Sequence, residues 1–306
     1  MERLEELSRS GCTHTIIREY KVMLPNFVNY LRSITKIRIQ PICNWTSTHN
    51  LLQTWKKMSR NQSLSWGRIE MVETDPDFWL IINTPKQDTD YDPKRTIITR
   101  MEPFPIWDYN ETFYKTLFHT THLNLLEWHL SKTYEELVSS HPQKEYDHEI
   151  SAILSARYVD TGHKKRVNFI KELEKYTDVH VYGTNAFSYR CYKGPLPYHK
   201  KDAGLLPYKY TITAENNSIH NYCTEKITDA VLAECLCFYW GCPNLETILD
   251  PMCFVRLDME TDDIETVLDM ISNGEWEKRI DIIRKEKMHI LNNLQLFPFL
   301  ERVLEN

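Results

Sequence analysis

From Ile37 onward the chain alternates short β-branched and aromatic runs with amphipathic stretches of helical period, and no other feature restricts its fold as much. Strands joined by helical crossovers run parallel, and a parallel sheet needs cover on both faces. The first series has strand-like runs at 37–43, 68–72, 78–83 and 96–101, with a helix over 48–58. The second has strands at 150–156, 179–182, 208–215, 235–240 and 253–257, with helices at 164–175, 224–234, 244–249 and 262–272. Between them the stretch 112–138 reads as helical, and the polar segment Ser139 to His148 reads as a linker. Residues 1–35 form an N-terminal helical arm in which Pro25 opens a helix carrying Phe27, Val28, Leu31 and Ile34 on one face. The tail, 275–306, reads as one charged amphipathic helix. The expected architecture is α/β: a Rossmann-like domain over 36–140, a second over 149–274, and a ligand cleft at the carboxyl ends of the two sheets.

The composition removes several function classes. The 306 residues carry 37 Lys+Arg against 43 Asp+Glu, a formal charge of -6, with no basic stripe of the kind nucleic-acid binding requires. The longest apolar run, Cys235 to Trp240, is far short of the ~20 residues that cross a bilayer, and no signal-like segment opens the chain. A soluble, cytoplasmic protein is the expectation. The 8 cysteines include no CxxC pair and sit mostly in apolar segments, so they read as reduced core thiols. The 8 glycines include neither a GxGxxG fingerprint nor a P-loop, so a phosphorylated ligand would have to be held by side-chain cations and a bare helix N-terminus.

The densest chemistry lies in YKYTITAENNSIHNYCTEKITD, from Tyr208 to Asp229. A strand runs into Glu215 and Asn216, crosses a polar loop, and reaches Thr224 as N-cap of a helix with Glu225 and Lys226 in its first turn. Ile227, Val231 and Cys235 share the face that packs on the sheet. On spacing alone this is either a well-capped helix start or an anion site, where unpaired N–H groups and the Lys226 ammonium meet a diphosphate.

The segment closely resembles the donor-binding motif of the glycosyltransferase family 10 α1,3-fucosyltransferases: a Tyr-Lys strand, Glu-Asn, a variable loop, then Tyr-x-Thr-Glu-Lys opening a helix. Cys237-Phe238-Tyr239-Trp240-Gly241 is similar to the strand that follows in bacterial members. The resemblance implies a GT-B fold, two facing Rossmann-like domains with GDP-fucose held by the C-terminal one. It implies that Lys226 binds the donor diphosphate, that Glu225 sits beside the fucose ring, and that Asn216 and Tyr222 line the pocket. In HKKRVNFIKEL it marks Arg166 as a second diphosphate cation, although a charge run at a helix start is also an ordinary solvated face. Val181-Tyr182-Gly183 is similar to the family's strand-to-loop turn near the donor. Glu102, which ends a strand before Pro103, is the candidate general base; the family has Glu-Ser-Pro where this chain has Glu-Pro.

The implied reaction is an inverting single displacement that needs no metal or other cofactor. Its partners are a nucleotide sugar and a glycan acceptor. A GT-B enzyme with another nucleotide sugar is the nearest alternative, followed by a non-catalytic carbohydrate-binding protein on the same scaffold. Two competing signals are weak: Asp88-Thr89-Asp90 has the DxD pattern of metal-dependent transferases but sits in a polar turn, and His119, His122 and His129 lack zinc-ligand spacing.

Overall fold

The computed structural model describes residues 35–86, 88–103, 118–120 and 126–305. The chain divides into two compact units, residues 1–121 with 296–306, and residues 122–295. The helical arm expected over residues 1–35 lies outside the described residues apart from Thr35.

The first unit contains β1 (Ile37–Cys43), α1 (Thr48–Trp55), β2 (Ser65–Trp66), β3 (Ile69–Met71), β4 (Phe78–Ile82), β5 (Thr96–Thr99) and β6 (Phe118–Thr120). Its strands lie in the order β2-β3-β1-β4-β5-β6, parallel throughout except for the short β2 against β3. β4 reads Phe-Trp-Leu-Ile-Ile because both faces of a parallel sheet are covered. Phe78 and Leu80 are buried on one face, and on the other Ile81 packs with Ile42, Ile98 and Trp79. Ser47 caps α1 by accepting the Asn50 N–H, and the helix buries Leu51, Leu52 and Trp55. Asn83 closes β4 in the left-handed region (φ 59°). Its Oδ1 accepts the N–H groups of Met101 (2.8 Å) and Glu102 (3.3 Å) in the turn beyond β5.

The second unit contains α2 (Tyr134–Ser139), β7 (Tyr146–Leu154), α3 (Thr161–Leu173), β8 (Val179–Gly183), β9 (Cys191–Gly194), β10 (Tyr208–Ala214), α4 (Glu225–Leu232), β11 (Leu236–Trp240), β12 (Phe254–Arg256), α5 (Asp263–Ser272) and α6 (Glu275–His289). All six strands are parallel, in the order β9-β8-β7-β10-β11-β12. Counted along the unit this is the doubly wound order 3-2-1-4-5-6. The chain winds outward from β7 on one side, returns to β10, and winds outward on the other. At that reversal the connections leave β7 and β10 in opposite directions and open a crevice at their carboxyl ends.

Two Rossmann-like α/β units are therefore present, with several local departures from expectation. The helix predicted over 244–249 is a single 3-10 turn, Leu245–Thr247, and the short strands β2 and β9 carry no alternating pattern that would mark them. Residues 118–120 are strand rather than helix. The tail is not one helix: α6 ends in a π turn over Ile290–Leu294, and α7 (Leu296–Glu305) belongs to the first unit. Pro298 is tolerated only in a first helical turn, which forces a new start near Leu296. There the Glu301 carboxylate accepts the Arg68 N–H at 3.3 Å.

The stretch expected to link the domains is packed into the second unit. Lys144 Nζ donates to the carbonyls of Ala233 (2.6 Å) and Leu206 (3.1 Å). Beside it Glu234, buried and left-handed (φ 59°) just past α4, accepts from His141 Nδ1 (2.6 Å), Lys287 Nζ (2.8 Å) and Arg284 Nε (2.9 Å). These contacts fasten α6 to the rest of the unit. The seven described cysteines form no disulfide, and six of them are buried. Among the described residues no helix is long and apolar enough to cross a membrane.

Removing the Glu234 carboxylate leaves the buried Lys287 ammonium uncompensated, a loss of about 3 kcal/mol or more. Urea unfolding of Glu234→Ala is expected to register that loss, whereas Glu260→Ala, at a solvent-facing ion pair, should change stability by less than about 1 kcal/mol.

Candidate active site

The crevice at the β7/β10 reversal holds a cavity of about 500 Å³, and all its walls come from the second unit. The ends of β7 and β10 line it through Leu154, Ser155 and Thr213, while the first turn of α3 presents His163, its second turn Arg166, and the first turn of α4 Glu225 and Lys226. Two helices thus begin at one space, where their dipoles favour an anion.

The start of α4 is set by Glu215, which ends the β10 connection and is fully buried. Its carboxylate accepts from the Thr224 N–H (2.8 Å), the Thr224 hydroxyl (2.7 Å), Lys226 Nζ (3.2 Å) and the Tyr239 hydroxyl (3.5 Å). Thr224 then caps the helix by accepting the Lys226 N–H at 3.4 Å. Gly241 leaves room for this cluster: at φ +152°, a Cβ there would stand 2.5 Å from Glu215 Cγ and 2.7 Å from the Tyr239 hydroxyl. On the other side the Gly162 N–H donates to the Asn216 carbonyl (2.9 Å), and a Cβ at Gly162 would lie 1.8 Å from the Glu215 carbonyl oxygen. That contact brings the first turn of α3, and with it Arg166, to the cavity.

Arg166 is 6% exposed. Its guanidinium donates to Ser155 Oγ (3.0 Å) and the Ala214 carbonyl (3.5 Å), spanning the ends of β7 and β10, and its Nε has no partner. Among the described residues no carboxylate pairs with it. A buried cation that feels Glu215 and Glu225 only at a distance, with no carboxylate in ion-pair contact, and that faces a cavity is arranged for an anionic ligand.

Glu225 has the opposite surroundings. Its Oε1 lies 3.2 Å from Lys201 Nζ, 3.7 Å from Lys226 Nζ and 4.0 Å from His129 Nδ1. Burial pushes the carboxyl up, but Lys226, Lys201 and His129 together overcome it and hold Glu225 well below the usual carboxylate range. Burial pulls the Lys226 ammonium down, and Glu215 with Glu225 reverses that, so Lys226 stays charged.

Of the residues singled out from sequence, Arg166, Asn216, Glu225 and Lys226 line this one cavity. Tyr222, 2% exposed, lies in the loop before α4 and is not part of the cavity wall. Tyr182 turns its hydroxyl to that of Tyr208 (2.8 Å), which also meets His180 Nδ1 (2.9 Å), and Gly183 (φ +99°) closes β8 with no room for a Cβ against the Leu154 carbonyl. Neither reaches the cavity wall. Glu102 belongs to the first unit, exposed in the bend after β5. Asp88 and Asp90 are exposed in a turn of that unit. Of the three histidines only His129 has a described side chain, and it faces Glu225. Sequence reasoning missed Lys201, Asp229, His163 and the anchoring role of Glu215. Asp229 was legible in principle, since it stands four residues after Glu225 on the same helix face.

Residues 148–274 match the family described as glycosyltransferase family 10 (fucosyltransferase) C-term. Over these residues the chain is similar to that family. It is a glycosyltransferase, and the matched segment spans β7 to α5, including every residue of the Glu215 cluster. Comparison with curated protein sequences finds no significant match. Among solved structures, an α1,3-fucosyltransferase with GDP is 16% identical, covering 90% of this chain and 92% of that one with a TM-score of 0.49. An α1,3-fucosyltransferase with GDP-fucose is 14% identical, covering 89% and 91% with a TM-score of 0.46. S. aureus TarM, in a complex that includes UDP, is 11% identical, covering 74% and 55% with a TM-score of 0.45.

The lowered Glu225 carboxyl has a pH signature. A carboxyl whose folded pKa is depressed adds stability above its unfolded value of about 4.3, and that stability is lost as pH falls through the folded pKa. Urea unfolding of wild type and Glu225→Gln between pH 7 and 3 is expected to give the variant its full deficit above about pH 4.3, with the gap closing toward pH 3. A deficit constant across that range would mean that the surrounding cations do not hold the carboxylate.

Proposed function

We propose that the chain transfers fucose from GDP-fucose to a hydroxyl of a glycan acceptor, with inversion, in one displacement and without a metal ion. The observation that carries this reading is the buried Arg166, with no carboxylate in ion-pair contact, lining one cavity with Lys226 where two helices begin. The cations and the helix dipoles match a diphosphate, and they take up the charge that a divalent cation neutralises in other transferases. The family match and the resemblance of the Tyr208 to Gly241 segment support fucose and guanosine as the rest of the donor.

In this reading the donor diphosphate lies against Arg166, Lys226 and the first turn of α4. Asn216 lines the pocket for the rest of the donor, and Tyr222, Tyr182 and Gly183 support the loops around it. The acceptor oxygen attacks the anomeric carbon from the face opposite the diphosphate, and the carbon–oxygen bond to the β-phosphate breaks. Positive charge builds on the ring beside Glu225, which is ionised throughout the neutral range. The acceptor proton passes to Glu102, supplied by the first unit as the general base. Glu102 fits the role by its position beyond a strand's carboxyl end, where Asn83 Oδ1 holds the turn by its backbone N–H groups. GDP leaves with its new charge met by Lys226 and Arg166.

Thermal unfolding with a panel of nucleotide sugars tests the donor assignment. GDP-fucose at 100 times its Kd should add about 2.7 kcal/mol, unaffected by EDTA, and Lys226→Ala or Arg166→Ala should lose most of that shift. A different nucleotide sugar giving the shift would replace the donor, and an EDTA-sensitive shift would remove the metal-free mechanism. Glu102→Gln should retain the GDP-induced shift while turnover falls about 10²-fold or more.

A further inference from the structure

Four cationic side chains line the cavity: Arg157, Arg166, Lys201 and Lys226. They are not equivalent. Arg166 has no carboxylate partner, whereas Lys201 has two, Asp229 Oδ2 at 2.9 Å and Glu225 Oε1 at 3.2 Å. Asp229 is 1% exposed, and its other oxygen accepts the His129 N–H at 2.6 Å. The Lys201 N–H returns to the His129 carbonyl at 3.0 Å. Lys201 is therefore held at its backbone and at its ammonium by the same pair of residues. Moving its ammonium onto a ligand phosphate would strand the buried Asp229 carboxylate without a counter-charge.

Glu225 and Asp229 stand one turn apart on α4, so Lys201 reaches in from the loop before β10 and bridges two carboxylates on one helix face. The charged groups that face Glu225 are Lys226 from its own helix, Lys201 from this loop, His129 from the segment before α2, and Arg166 from α3; Glu215 stands behind Lys226 and Asp229 behind Lys201.

We propose that Lys201 is a positioning residue rather than a donor ligand: clamped by Asp229, its ammonium fixes both the place and the charge of the Glu225 carboxylate at the cavity wall. The inference rests on the role given to Glu225 above. Lys226 also has two carboxylates, Glu215 and Glu225, but Glu215 keeps the Thr224 N–H and hydroxyl and the Tyr239 hydroxyl as donors, whereas the donors to Asp229 are Lys201 and the His129 N–H. Arg166 and Lys226 are thus open to an anion, and Lys201 is committed to a carboxylate that faces the sugar. Losing one opposite charge at this distance raises a carboxyl by about one pH unit or more.

The test uses the full chain with glutamate labelled at the side-chain carboxyl carbon with ¹³C, the Glu225 signal being identified by its disappearance in Glu225→Gln. In the free protein, the Glu225 titration midpoint should rise by about one pH unit in Lys201→Met. The same substitution should lower kcat at least about tenfold while the Kd for GDP stays within about threefold of wild type. Added to Glu225→Gln, it should change kcat by less than about twofold, because its effect passes through that carboxylate. Lys201→Gln, which keeps a hydrogen-bond donor for Asp229, serves if the methionine variant does not fold. An unmoved Glu225 midpoint overturns the proposal, as does GDP affinity falling in step with kcat, which would make Lys201 a phosphate ligand. If wild type binds no GDP at all, the fucosyltransferase reading fails, and the titration still decides whether Lys201 governs Glu225.

Discussion

The Glu215 carboxylate is the interaction on which the site depends. A fully buried carboxylate is tolerated only when its oxygens are met by donors, and here they come from the cap of α4, its first-turn lysine and the hydroxyl of β11. The same residue's backbone leaves no space for a side chain at Gly162, so α3 also takes its position from it. One acidic residue, through its side chain and its backbone, thus sets where two helices begin relative to the sheet, and the cavity is the space between those beginnings.

The electrostatics follow from that placement. Lys226 is shared between Glu215 behind it and Glu225 beside it, so it remains charged while still facing the cavity. Arg166 is fastened through neutral oxygens of Ser155 and Ala214, which fix its orientation without consuming its charge. The domain keeps positive charge available by holding one cation with hydrogen bonds and another between two acids, a division that composition alone does not reveal.

What could be read from the sequence was what lies close together in it. Thr224, Glu225 and Lys226 are consecutive, and Asn216 precedes them within one strand–loop–helix step, so capping and family resemblance found them together. β4 and β11 are unbroken apolar runs because central parallel strands are covered on both faces. Lys201 was illegible because its partners lie 24 and 28 residues away, and His129 because it meets Asp229 across 100 residues. β9, with only Cys191–Gly194, has neither the length nor the alternation that identifies a strand. The tail was misread as one helix because Glu275–His289 and Leu296–Glu305 are both amphipathic, and only Pro298 marks where one must end and another begin.

The return of α7 to the first unit changes the order in which the protein can be completed. The sheet of the second unit has all six strands by Arg256, and its clamp on Glu234 closes once Lys287 is present. The first unit, although begun at the other end of the chain, lacks the carboxylate that meets the Arg68 N–H until Glu301 is added. The unit encoded first is thus completed by a segment 233 residues after Arg68, and until that segment is in place its edge at β2 and β3 is uncovered.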